Sequence, residues 1–167
     1  MDFQQAGSIN KMLIYVFFAV AFSAEFGKFI PIRFSLFHLK SFDGPLSGII
    51  YSLFVNLSFS TFIALLNLLG VFGNLLGSNL VLFLWTYPLA NICFGTVLGF
   101  FIGMQRIKHT VMVDEVTGVA IATGLHLVYF FSLLAHDFIL FLVTMLGMIL
   151  VSFFLLKNAI SLPIRSM

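Results

Sequence analysis

The chain has 167 residues, of which 61% are hydrophobic and 8% charged, with a formal charge of +2 and a mean hydropathy of +1.15. Soluble domains run near 25% charged, so a water-soluble globule is excluded. The small positive charge, with no basic cluster among aromatics, also excludes a nucleic-acid binder.

A membrane solvent leaves helices or a closed barrel as the only spanning structures. Barrel strands alternate apolar and polar residues, whereas stretches such as Phe138 to Met145 are apolar on every side but for one threonine. The fold class is therefore all-α: a polytopic integral membrane helix bundle of a single transmembrane domain. Cys93 is the sole cysteine and lies in an apolar run, without the spacing of a metal site. No internal repeat is visible.

In chain order, Met1 to Asn10 is a short polar terminus, and Lys11 precedes a first span predicted over about 12–30. Ala19-Val-Ala21 resembles a small-residue cleavage site, but Asp2 and Lys11 make a poor n-region, which predicts an uncleaved helix. Gly27 to Asp43 reads as a basic connector holding Lys28, Arg33, His38 and Lys40, with Pro31 marking the helix exit. Asp43-Gly-Pro is a turn and helix start.

From Gly44 to Met104 there is no Asp, Glu, Lys, Arg or His. The glycine- and asparagine-rich stretch Gly70 to Asn79 divides this run into spans of about 45–69 and 80–103, the second containing Pro88. Gln105 to Glu115 is a second charged connector. Spans of about 116–134 and 138–156 follow, separated by His136-Asp137, with Asp137 placed to cap the last helix and Pro163 preventing its resumption.

Five spans put Lys28, Arg33, Lys40, Arg106, Lys108, Lys157 and Arg165 on one side and only Lys11 on the other. The positive-inside rule then predicts the N-terminus outside and the C-terminus inside. A sixth span, cut from the uncharged run, would destroy that asymmetry.

Candidate functional positions come from what lipid does not favour. Gly95, Gly99 and Gly103 recur at steps of four on the third span, a face where two backbones approach closely. Gly44 with Gly48, and Gly118 with Ala122, repeat the pattern. Such faces serve packing within the chain, a subunit interface, or a groove for a flat ligand. Ser52, Asn56, Ser60 and Asn67 form a polar stripe on the second span, and Asn91 on the third is a natural partner for it. These amides bond across helices or line a solute path. The sequon at Asn56 is discarded because it falls inside the bilayer.

His126 lies mid-span, an intramembrane ionisable residue and hence a functional candidate. Glu115 precedes it by eleven residues at nearly the same helical angle but about 16 Å away along the axis. Asn56, Asn91, His126 and Glu115 are the candidate ligand-binding set. Glu25 and Lys28 read as an interfacial i,i+3 ion pair with a snorkelling lysine. Asp114 and Glu115 suit a helix N-terminus, and nothing in their spacing requires a metal with Glu25. The aromatic content is mostly Phe; Trp85, Tyr87 and Tyr129 are positioned to stack on a planar ligand or to face lipid.

Two short motifs carry resemblances. Asp43-Gly-Pro-Leu-Ser-Gly48 resembles the Gly-Pro-x-x-Gly step in the substrate-binding components of energy-coupling-factor vitamin transporters, which implies solute binding by a bundle of six helices. Met112-Val-Asp-Glu-Val-Thr-Gly118 resembles an acidic motif of the phosphatidylglycerophosphatase A type. That would imply a lipid phosphatase, whose metal needs further carboxylates; none follows Asp137.

The expected function is non-catalytic: a membrane subunit that packs with partner helices and binds or passes a small solute in a transporter-type assembly. The alternatives are a structural or assembly subunit of an energy-transducing or cell-envelope complex, and an intramembrane enzyme acting on a lipid. The expected partners are the lipid bilayer, other membrane subunits and a small-molecule solute, in a prokaryotic cell membrane or an organelle membrane. No cofactor or metal signature is present.

Overall fold

Each apolar run forms one helix because, in lipid, a backbone that leaves the helix exposes unpaired N–H and C=O groups. The computed structural model describes residues 9–36, 38–39, 42–73, 76–108, 111–135 and 137–162. The N-terminal segment 1–8, Lys40, His109, His136, Pro163 and Arg165 lie outside the described residues. Helix α1 is continuous but composite: Ile9–Tyr15, a π-helical stretch Val16–Phe22, and Ser23–Leu36. Then come α2 (Pro45–Leu68), α3 (Leu80–Lys108), α4 (Val111–Leu134) and α5 (Phe138–Ser161). Among the described residues these give five helices long and apolar enough to cross a membrane.

Several boundaries differ from the sequence reading. Pro31 lies inside α1, which runs on to Leu36. A proline removes one donor to the carbonyl four residues back, whereas ending the helix there would unpair several groups. The second charged connector shrinks, because α3 continues to Lys108 and α4 begins at Val111. Charged side chains sit comfortably in end turns, as Asp114 does in the first turn of α4. Asp137 caps α5 as expected, its Oδ1 accepting from the amides of Ile139 and Leu140 at 3.0 Å. Between α2 and α3 the chain reverses through Gly70, Gly73 and Gly77, whose φ values of 73, 62 and 50° favour glycine.

The glycine face of α3 is used within the chain, against antiparallel α2. A Cβ on Gly99 would stand 2.7 Å from Ile49 Cα, and one on Gly103 would stand 2.5 Å from the Gly44 carbonyl oxygen. Gly48 sits equally close to the backbone at Gly99. On the opposite side of α3, Gly118 of α4 admits Phe101, whose Cβ a methyl would meet at 2.8 Å. Arg33 pairs with Glu115, Arg106 lies over the Phe42 ring, and Ala159 packs with Ile49, Phe100 and Met104. The ends of α1, α3 and α5 that carry Arg33, Arg106 and Lys157 therefore share one end of the bundle.

Candidate functional site

The extension of α1 beyond Pro31 moves Glu25 and Lys28 from the expected interface to the middle of the span Lys11–Ser35. Both are buried, at 0% and 1% exposure. They meet Asn56 from mid-α2, Asn91 from mid-α3 and His126 from α4, which are 0% exposed. The correction is physical: an interfacial lysine can snorkel to water, but one in mid-bilayer has to find its partners inside the protein.

Lys28 Nζ donates to Glu25 Oε1 at 2.6 Å, Asn56 Oδ1 at 2.8 Å and Asn91 Oδ1 at 2.9 Å. An ammonium has three N–H bonds, so this cation is fully used. The amides are oriented by their own helices. Asn56 Nδ2 donates to the Ser52 carbonyl at 2.9 Å, and Asn91 Nδ2 donates to the Tyr87 carbonyl at 2.9 Å. Each amide oxygen is thereby turned towards Lys28, not towards the other amide as the sequence suggested. The Phe59 and Phe94 rings add cation–π contacts, with centroids 5.2 and 5.4 Å from Nζ.

His126 Nδ1 stands 2.6 Å from the same Glu25 Oε1. Facing a carboxylate oxygen, Nδ1 carries the proton and donates it. The imidazole stacks on Phe94 at 4.6 Å and is boxed by Phe130 at 5.3 Å and Tyr87 at 5.8 Å. One carboxylate oxygen thus receives both nitrogens. Within this centre two buried atoms keep no hydrogen-bond partner, Glu25 Oε2 and His126 Nε2, and with Nδ1 carrying the imidazole proton both are acceptors. With Glu25 ionised, Lys28 charged and His126 neutral, the formal charge of the centre sums to zero. Such compensation is what lets charges stay in a dry interior.

Gly95 connects this centre to the α2–α3 contact. A methyl there would fall 2.9 Å from Asn56 Nδ2, so the missing side chain makes room for the amide that reaches Lys28.

A cavity of about 370 Å³ lies between α1, α2, α3 and α4, on the side of the centre away from Arg33. Its wall carries the polar groups of Ser23 and Asn67 among apolar side chains, and includes Phe59, Tyr87 and Phe130. Phe59 flanks Lys28, and Tyr87 and Phe130 box His126, so a single layer of rings separates cavity from centre. The π-helical stretch supplies Val20 and Ala19 to this wall. Ser23 Oγ donates to the Ala19 carbonyl at 2.7 Å, pairing an oxygen of that widened turn.

Three of the four candidate ligand-binding residues, Asn56, Asn91 and His126, are brought together. Glu115 is not among them: its Oε1 accepts from Arg33 Nε at 2.7 Å, nearer the basic end. It also lines a second groove of about 370 Å³, between α1 and α4, with Phe22, Phe26, Phe29 and Thr123. Glu25, Asp114 and Glu115 do not converge. Among the described residues no group of three His, Cys, Asp or Glu is placed to hold a metal. Trp85 is 81% exposed and away from the cavity, whereas Tyr87 and Tyr129 are buried.

The i,i+3 ion pair of Glu25 and Lys28 expected from the sequence is present, and its depth, which the sequence reading set at the interface, also had a signal. The two are the only acid and base in the interior of an otherwise uncharged stretch from Met12 to Pro31. Comparison of the chain with protein-family models, curated proteins and solved structures gave no match, so function has to be read from this geometry.

Proposed function

We propose that the protein is a non-catalytic, transport-type membrane protein whose cavity accepts a small, mostly apolar solute next to a polar centre at mid-membrane. The observation that carries this reading is the convergence of Glu25, Lys28, Asn56, Asn91 and His126 from four helices at complete burial. Intramembrane ionisable groups are costly and mark solute or ion pathways. Holding helices together does not require them, since well-packed apolar side chains do that as well or better. Cavities of roughly 300–1,000 Å³ with few polar groups are the usual form of small-molecule sites.

In this reading the basic end faces the cytoplasm-like side, by the charge rule, and the cavity belongs to the opposite half. The structural-subunit alternative loses its main motive, because the α3 glycine face is covered by the chain's own α2. Partner subunits of a larger assembly would dock on the remaining lipid-facing surfaces.

The test is ligand-dependent stabilisation. The detergent-purified protein is heated with a panel of small aromatic and aliphatic acids, alcohols and amines. A binder at a hundred times its Kd raises stability by about 2.7 kcal/mol, and Ala19→Trp, which fills the cavity wall, should abolish that gain. A flat response across the panel, or a gain that survives Ala19→Trp, would count against the reading.

A further inference from the structure

Within the transport reading, on which this inference rests, the cavity wall specifies both the chemistry of the solute and its way in. We propose that the cavity opens sideways into the lipid between α1 and α2, and that its solute is a neutral, membrane-dissolved phenol or aromatic alcohol whose hydroxyl donates to Asn67.

The opening follows from how α1 is packed. Its π-helical stretch Val16–Phe22 packs on α4, whereas α1 packs on α2 through Ser23–Leu36. Outward of Ser23 the two helices draw apart. Phe59, Ile63 and Asn67 share one face of α2 at steps of four, and Tyr15, Ala19 and Ser23 recur at the same steps on α1; both rows line the cavity instead of interlocking. The α1 row is exposed and the α2 row half-buried, whereas the far wall of Phe83, Tyr87 and Phe130 is buried. Access is therefore from the α1–α2 side, and around a bundle of five membrane-length helices that side is lipid.

No Asp, Glu, Lys, Arg or His stands among the lining residues, so a charged solute would find no counter-ion there. The rings of Phe59, Phe83, Tyr87 and Phe130 suit a planar body. The volume of about 370 Å³ equals that of roughly a dozen waters, room for one ring and a short chain. Two polar side chains in the wall have one hydrogen committed to their own helix. Asn67 Nδ2 donates to the Ile63 carbonyl at 2.9 Å, and Ser23 Oγ to that of Ala19 at 2.7 Å. Each still offers an acceptor oxygen, and Asn67 a second N–H; a hydroxyl answers both.

Depth decides between them. Asn56, bonded to Lys28, belongs to the mid-membrane centre. Asn67 lies eleven residues beyond it, about 16 Å along the axis, and half the hydrocarbon thickness is about 15 Å. Asn67 thus stands at the depth where a membrane-dissolved phenol keeps its hydroxyl. Ser23, the midpoint of the span Lys11–Ser35, lies in the apolar interior. The hydroxyl sits at Asn67, and the body runs down towards Ser23.

The test is competition for tritiated para-propylphenol bound by the full chain in phosphatidylcholine nanodiscs, with empty nanodiscs subtracted and concentrations expressed per bilayer lipid. The matching anisole, which lacks the hydrogen, should compete about fivefold less well. The matching benzoate and benzylamine, which enter charged, should compete at least about tenfold less well. Asn67→Leu should weaken the phenol to the level of the anisole, whereas Ser23→Ala should keep the preference. The route is read from para-dodecylphenol, whose tail is too long for the cavity but can trail out between α1 and α2. It should compete as well as the propyl compound. Binding that fails as the tail grows would mean an entrance from water past Tyr15 and Phe72, and would overturn the lateral opening. An anisole or a charged analogue competing as well as the phenol, or a preference that survives Asn67→Leu, would overturn the solute class. In each of these cases the cavity remains a solute site; if none of the compounds binds, the transport reading falls as well.

Discussion

Two attachments inside this bundle work on opposite principles. Helices α2 and α3 are held by absence of side chains: Gly48, Gly99 and Gly103 let two backbones touch, and dispersion over that contact does the holding. Helix α1 is held at its centre by a few polar bonds, Lys28 to Asn56 and Asn91 and Glu25 to His126. Open volume flanks it in two places, each about 370 Å³. In lipid no hydrophobic force favours helix contact over lipid contact. A helix pinned by a polar point can leave room for a guest, whereas one packed on glycine cannot.

The comparison breaks most severely at Lys28. Lys28→Met would leave Glu25 without its cation in a dry interior, an expected loss of about 3–5 kcal/mol in detergent denaturation. Glu25→Gln combined with Lys28→Met should recover most of it, since the pair is then removed together. A double variant as unstable as the single would mean that charge balance does not govern this site. Next comes Gly99→Ala, expected to cost roughly 1–3 kcal/mol through overlap with the Gly48 backbone. Gly147→Ala, where a methyl meets nothing within 4 Å, should be neutral or stabilising by up to about 1 kcal/mol. Equal effects at the two positions would remove the close-contact account. The smallest loss, and the most informative, belongs to Gly95→Ala, where the two attachments meet. It should cost about 1 kcal/mol by displacing Asn56 from Lys28, and a cycle with Asn56→Ala should show strong coupling.

What could be read from the sequence follows the strength of the solvent constraint. The helices were legible because lipid enforces apolar runs of span length, and Asn56, Asn91 and His126 stood out as polar interruptions of them. Depth was not legible at the end of α1. Pro31 in sequence reads as an exit, which sets Glu25 and Lys28 at the interface; with the helix running to Leu36 they sit in the middle. Partner choice was equally hidden, since helical angle puts Glu115 on the side of His126 but says nothing of Arg33, which claims it from another helix. The glycine steps announced close contact without naming the helix on the other side.

The widened turn in α1 has one last consequence. Between Tyr15 and Ser23 the helix abandons the usual rotation per residue, so the phase of its first two turns is uncoupled from that of Glu25. A one-residue insertion or deletion in Val16–Phe22 can be absorbed as more or less π-helix, turning Tyr15 relative to the cavity while Glu25 and Lys28 stay where they are. Length changes alone can thus reshape the α1 wall of the cavity, with the Glu25–Lys28 pair left in register.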